Sequence, residues 1–68
     1  MNEEALSLLK QAFIQGTSGY LEMKDGTPLR FTDVQAFDEV AETVRLALDS
    51  GESRTLSFLQ VDGVWLDE

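Results

Sequence analysis

The stretch FTDVQAFDEVAETVRLAL, residues 31–48, decides how the fold of this chain is predicted. Its apolar residues recur at the three- and four-residue spacing of an amphipathic helix. Thr32 and Gln35 have the spacing of a capping box, and Gly51 stands where a helix would end. The pattern predicts a helix from about Asp33 to Asp49. The apolar stripe of that helix is Val34, Phe37, Val40, Ala41, Val44, Ala47 and Leu48.

The other side of the predicted helix carries a candidate binding surface. Asp38, Glu39 and Glu42 lie opposite the stripe, and Asp49 lies at the helix end. Leu46 falls among these acids rather than on the stripe. Carboxylates steer a partner and an exposed aliphatic side chain adds contact, so this mixture is typical of an interface. We predict that these five residues bind a partner; the alternative is a solvated face whose charge serves solubility.

The residues before this stretch predict a helix and a hairpin. Apolar spacing predicts a helix from Asn2 to about Gln15, with Asn2 as its N-cap and Gly16 at its end. YLEMKDGTPLRF, residues 20–31, predicts a hairpin. Its alternation favours an odd-length loop centred on Gly26. That loop pairs Met23 with Leu29, Leu21 with Phe31, and Glu22 with Arg30.

The last segment, RTLSFLQVDGVWLDE at residues 54–68, is rich in strand-forming residues. Asp62-Gly63 predicts a second hairpin, with Val61 facing Val64; a single strand with a terminal turn is the alternative. Trp65 and Tyr20 are interpreted as half-buried sheet residues with a polar tip; the alternative is that they are binding anchors. The whole chain, 1–68, is therefore predicted to be one α+β domain with the order helix–hairpin–helix–hairpin, in which two helices pack on one face of an antiparallel sheet.

Composition excludes several chemistries. The chain has 68 residues, no cysteine and no histidine. Disulfides, thiolate metal sites and the usual acid–base side chain at neutral pH are therefore excluded. No serine stands in a nucleophile motif, and no Ca²⁺-loop pattern occurs. We predict a protein that is not an enzyme, with no catalytic residues, no metal site and no cofactor.

The charge balance indicates the kind of partner. Thirteen acidic and five basic residues give a formal charge of −8. Such a domain is repelled by nucleic acid and by anionic membranes, and it is attracted to basic surfaces. No apolar run approaches the roughly 20 residues of a membrane helix, and the first residues are acidic rather than the basic start of a signal peptide. We expect a cytoplasmic protein with a basic protein partner, no direct nucleic-acid contact and no membrane contact.

Residues 11–32, QAFIQGTSGYLEMKDGTPLRFT, carry a resemblance over about a third of the chain. A helix ending near Gly16, KDG at 24–26 and FT at 31–32 resemble the helix–hairpin–helix core of the lambda-type phage head–tail joining protein W family. That family has a basic tail, whereas this chain ends in an acidic, strand-like segment. No function is carried over from the resemblance.

Two functional hypotheses follow. The first is a non-enzymatic interaction module whose acidic surface binds a basic protein; a sharper form is a nucleic-acid-mimicking inhibitor of the phage anti-defence type. The alternative is a structural or assembly subunit, phage-like or bacterial, that self-associates, for example as a homodimer. Salt-sensitive binding would distinguish the first hypothesis, and a concentration-dependent mass would distinguish the second.

Overall fold

The computed structural model describes residues 1–67, which form one helix and a five-stranded antiparallel sheet. The elements in chain order are α1 (Glu3–Gln15), β1 (Gly19–Met23), β2 (Pro28–Asp38), β3 (Thr43–Leu48), β4 (Ser53–Ser57), a 3-10 turn (Phe58–Gln60) and β5 (Val61–Leu66). The strand order is β4-β3-β2-β1-β5, so β4 and β5 are the two edges. The fold is α+β, as predicted, but with a single helix.

Helix α1 confirms the predicted first element and its caps. Asn2 Oδ1 accepts a hydrogen bond from the Ala5 amide at 2.8 Å. Gly16 ends the helix in the left-handed conformation, with φ 69°, which glycine adopts without a steric penalty. The helix packs against β2 and β5 and buries Ala5, Leu9 and Ala12.

The predicted second helix, from Asp33 to Asp49, is wrong. Residues through Asp38 continue β2, residues 39–42 form a turn, and Thr43–Leu48 form β3. The pairing of β2 with β3 shifts register twice, between Phe31 and Asp33 and between Val34 and Ala36. Because the third element of the helix–hairpin–helix pattern is a strand, the likeness at residues 11–32 ends at its hairpin.

The first hairpin has the predicted odd-length loop but a different register. Gly26 donates to the Met23 carbonyl at 2.8 Å, and Met23 donates to the Thr27 carbonyl at 2.9 Å. The three-residue loop is therefore centred on Asp25 rather than Gly26, and Leu21 pairs with Leu29 instead of Phe31. Glu22 accordingly pairs with Pro28, not with Arg30. The shift of two positions preserves the predicted inward face.

The predicted second hairpin at Asp62-Gly63 is also wrong. Both residues lie within β5, which pairs with β1. The segment forms two strands, β4 and β5, that lie on opposite edges of the sheet, so the single-strand alternative is wrong as well. The downstream hairpin instead joins β3 to β4, where Gly51 has φ 92° and donates to the Leu48 carbonyl at 3.0 Å.

The short connection from β4 to β5 requires the sheet to curl. A flat sheet would separate its first and fifth strands by about 19 Å, given roughly 4.8 Å between neighbours. The chain from Ser57 to Val61 spans at most about 14 Å. The curled sheet closes around one core, to which β1, β2, β3 and β5 all contribute. Its largest fully buried side chains are Phe31, Leu9, Leu21, Leu46, Val44 and Val61.

Candidate functional site

Three of the predicted partner-binding residues lie together where β2 ends and the turn to β3 begins and closes. We call residues 38–42 the acidic tip; they are Asp38, Glu39, Val40, Ala41 and Glu42. Asp38 Oδ1 accepts hydrogen bonds from the amides of Val40 at 3.0 Å and Ala41 at 2.9 Å. An aspartate carboxylate that accepts hydrogen bonds from backbone amides two and three residues later commonly stabilises a tight turn. Asp38 therefore holds the shape of the tip.

Glu42 closes the acidic tip in a strained conformation. Its φ is 56°, and within residues 1–67 it is the one residue other than glycine with a positive φ. Its carbonyl accepts a hydrogen bond from the Phe58 amide at 2.9 Å, which ties the tip to the 3-10 turn. Left-handed backbone is costly for a residue with a Cβ and often occurs at functional positions. The Glu42 residue is exposed at this position.

Val40 is an exposed apolar residue that the sequence-based prediction did not include among the candidate residues. Its side chain is 96% exposed at the end of the acidic tip, although the helical pattern assigned it to the core. Asp38, Glu39 and Glu42 surround it in sequence and are exposed. The tip thus combines carboxylates with one large aliphatic side chain, the mixture that suits partner binding. A turn predicted at residues 39–42 would have indicated that Val40 is exposed. The helical spacing of the neighbouring apolar residues instead predicted a helix there.

Leu46 does not belong to the exposed surface. It is fully buried on β3, with 0% of its side chain accessible, so the prediction that it contacts a partner is wrong. On β3, Val44, Leu46 and Leu48 alternate with less buried residues. This alternation with a period of two is the strand signal within TVRLAL, and it explains why Leu46 did not fit the helical stripe.

Asp49 lies away from the acidic tip. It follows the last residue of β3, whereas the tip precedes the first, and a strand of six residues is roughly 17–20 Å long. Asp49 stands in the loop that joins β3 to β4. The hydrogen bond to Asp67 is the main cause of the raised pKa of Arg30, and the charge of Asp49 adds to it. The structure therefore brings Asp38, Glu39 and Glu42 together and leaves Asp49 apart from them.

One base offsets part of the charge of the acidic tip. Lys10 Nζ on α1 lies 3.0 Å from Glu39 Oε1, and both side chains are more than half exposed. An exposed ion pair of this kind contributes only about 0–1 kcal/mol. Lys10 therefore holds the Glu39 carboxylate only weakly.

A second ion pair, far from the acidic tip in sequence, fixes the end of the described chain. Arg30 Nη1 and Nη2 donate to the two oxygens of Asp67 at 3.0 and 2.5 Å, and Ser18 Oγ donates to Asp67 Oδ2 at 2.5 Å. The hydrogen bonds from Arg30, and then that from Ser18, lower the pKa of Asp67. The hydrogen bond to Asp67 and its negative charge in turn raise the pKa of Arg30. This fork-shaped geometry is the strongest ion-pair arrangement available to arginine.

Tyr20 and Trp65 lie on strands as predicted, but both are exposed rather than half-buried. Tyr20 and Trp65 are 40% and 45% exposed, and they face each other across β1 and β5. Their rings stack with centroids 5.1 Å apart and planes 9° apart.

Searches for other kinds of site give negative results for residues 1–67. No group of three His, Cys, Asp or Glu side chains in that range is arranged to hold a metal ion. No helix within it has both the length and the apolar character needed to cross a bilayer. Comparison with protein-family models, with curated proteins and with solved structures finds no significant match.

Proposed function

We propose that this chain is a non-enzymatic interaction module that binds a basic protein surface through its acidic tip. The observation that carries the proposal is the turn itself, where Glu39 and Glu42 flank the almost fully exposed Val40. The net charge of −8 supports a basic partner, because long-range attraction accelerates encounter with such a surface. Contacts with Val40 would then slow dissociation.

The turn geometry favours a preorganised site. Asp38 fixes two amides, and the Glu42 carbonyl is bonded to Phe58, so the tip keeps its shape without a partner. A preorganised surface loses less conformational entropy on binding. An inhibitor that competes with nucleic acid for a basic protein is the sharper form of this proposal. It predicts that added DNA displaces the captured partner.

The test is affinity capture from lysate at low and high salt, with identification of the eluted proteins. We expect a partner that elutes as salt rises, because exposed charges are screened beyond about 10 Å at 0.1 M. The double variant Glu39→Lys, Glu42→Lys should lose that partner. Asp38 is left unchanged because its carboxylate builds the turn.

A matched control distinguishes the effect of net charge from the effect of where the charges lie. The double variant Asp49→Lys, Glu52→Lys changes the charge by the same amount in the loop between β3 and β4. It should retain the partner. Equal loss of the partner in both double variants, with both still folded by circular dichroism, would show that overall charge rather than the acidic tip governs binding.

The sheet edges support a second candidate, a subunit that self-associates. Both β4 and β5 are edge strands. An open groove of about 480 Å³ runs between β4 and the first hairpin, and Met23, Leu29 and Leu56 contribute its apolar part. Exposed strand edges pair readily with other chains. Under this proposal the sedimentation mass rises with concentration, and the Glu39→Lys, Glu42→Lys variant behaves like the unmodified protein; a constant monomer mass contradicts it.

A further inference from the structure

A cleft separate from the acidic tip lies between the start of α1 and the edge strand β5. Its volume is about 240 Å³, which suits one large side chain rather than a folded segment. The cleft has an aromatic wall, an aliphatic side and two carboxylates. The residues that carry these features are Glu4, Ala5, Leu8, Asp62, Gly63 and Trp65.

The aromatic wall is held in place from two directions. Tyr20 stacks on the Trp65 ring, with planes 9° apart. The ring also lies across Gly63, where a Cβ would stand 2.7 Å from Trp65 Cη2. Gly63 thus leaves the space that the indole occupies. An indole held in a fixed orientation and 45% exposed is a strong site for a cation, because its ring face is negative.

The carboxylates complement that wall. Within residues 1–67, Glu4 forms no ion pair and no side-chain hydrogen bond, and it lies in the first turn of α1. Among the residues that the structure describes, the Asp62 carboxylate contacts only Lys24, at 3.3 Å, and both side chains are more than half exposed. The start of a helix disfavours a cation, but Asn2 occupies one of its amides and Glu3 and Glu4 offset its dipole.

We propose that this cleft binds an arginine side chain of the basic partner, an inference that rests on the proposed function. A planar guanidinium stacks on an indole face, and its edge donors can reach carboxylates at the same time. The aliphatic stem of the arginine would lie along Leu8. Lysine offers no planar face and binds less well there.

The test uses Trp65, the one tryptophan of the chain, as its own probe. The unmodified protein is titrated at low salt with the capped peptide Gly-Arg-Gly, and with the same peptide carrying lysine or uncharged citrulline. We expect a saturable change in emission with arginine, a weaker one with lysine and none with citrulline. The double variant Glu4→Gln, Asp62→Asn should weaken arginine binding about tenfold, since each exposed pair contributes modestly.

Two variants locate the effect. Gly63→Ala places a methyl group where the indole lies and should abolish the saturable change, while circular dichroism shows an intact fold. Glu39→Gln, Glu42→Gln alters the charge equally but leaves the cleft untouched, so peptide binding should persist. An equal response to citrulline, or equal weakening by the two charge variants, overturns the arginine site. If the arginine peptide binds but the Glu39→Lys, Glu42→Lys variant still captures the partner, the proposed function is wrong and the arginine site in the cleft is retained.

Discussion

Asp67 shows how one exposed residue can link stability to pH. Its carboxylate accepts from Arg30 and Ser18, and these hydrogen bonds hold its pKa below the ordinary value of about 3.9. A carboxyl group whose pKa is lowered by folding stabilises the folded state above the unfolded pKa. That contribution is lost as the pH falls through the lower folded pKa. The Arg30–Asp67 ion pair also joins β2 to the residue that follows β5, although β2 and β5 are not neighbours in the sheet.

Replacement of Asp67 by asparagine should therefore have an effect that depends on pH. Asp67→Asn is expected to lower the melting temperature at pH 7, and the difference from the unmodified protein should shrink as the pH falls through the lowered pKa of folded Asp67, because its carboxyl group then becomes neutral. Thermal unfolding followed by circular dichroism between pH 2 and pH 7 measures this. Asp33→Asn, an exposed substitution elsewhere on β2, is the control. A gap that stays constant across the range contradicts the prediction.

At the scale of elements, β2 explains why a strand was predicted as a helix. Its inward residues are Phe31, Val34 and Phe37, which are three positions apart. A regular strand would place them two apart, but each register shift inserts one extra residue. The resulting spacing of three imitates one face of a helix. Bulges are set by pairing with β3, so local spacing alone does not reveal them.

Elements that depend on local contacts were predicted well. Asn2 and Gly16 act on backbone groups within a few residues, and α1 agrees with its predicted bounds. The first hairpin has the predicted odd number of loop residues, because the alternation of apolar and polar residues that predicted it is a local signal. The hairpin predicted at Asp62-Gly63 was wrong because a turn dipeptide can also lie inside a strand. Here the strand forms by pairing with β1, about 40 residues earlier in the chain. Among the site residues, Asp38, Glu39 and Glu42 were predicted to lie on one helix face and instead lie together at a turn, whereas the burial of Leu46 depends on the sheet.

The turn between β2 and β3 can be stabilised by removing its strain. Glu42→Gly is expected to raise the free energy of unfolding by about 0.5–1 kcal/mol, since relief of a left-handed conformation outweighs the extra flexibility of glycine in the unfolded chain. Denaturant unfolding measures the change. Glu39→Gly, at a position without a positive φ, is the control and should be destabilising. Equal effects of both substitutions would show that the Glu42 conformation stores no energy.

At the scale of the whole molecule, self-repulsion opposes the folded state. Eight net negative charges lie on a chain with a radius of gyration of 10.4 Å, close to the Debye length at 0.1 M salt. The Lys10–Glu39 and Lys24–Asp62 ion pairs are more than half exposed, where they contribute little. Added salt therefore screens more repulsion than attraction, and it should stabilise the fold.

The corresponding prediction concerns melting temperature and ionic strength. At pH 7, raising sodium chloride from about 10 to 500 mM should increase the melting temperature by about 4–8 °C, the shift expected for roughly 1 kcal/mol in a domain of this size. The same experiment near pH 4.2, where the sequence is close to electrically neutral, is an internal control. A similar increase at both pH values would assign the effect to something other than charge repulsion.

The pairing of β5 with β1 has a consequence for how the chain reaches its native state. The other strand pairs join neighbours in sequence, so each can zip from its own turn. Strand β5 must find a partner about 40 residues upstream, and closing so long a loop costs entropy before any contact repays it. We therefore expect docking of β5 to be the last and slowest event of refolding. Trp65, carried on β5, would report its arrival.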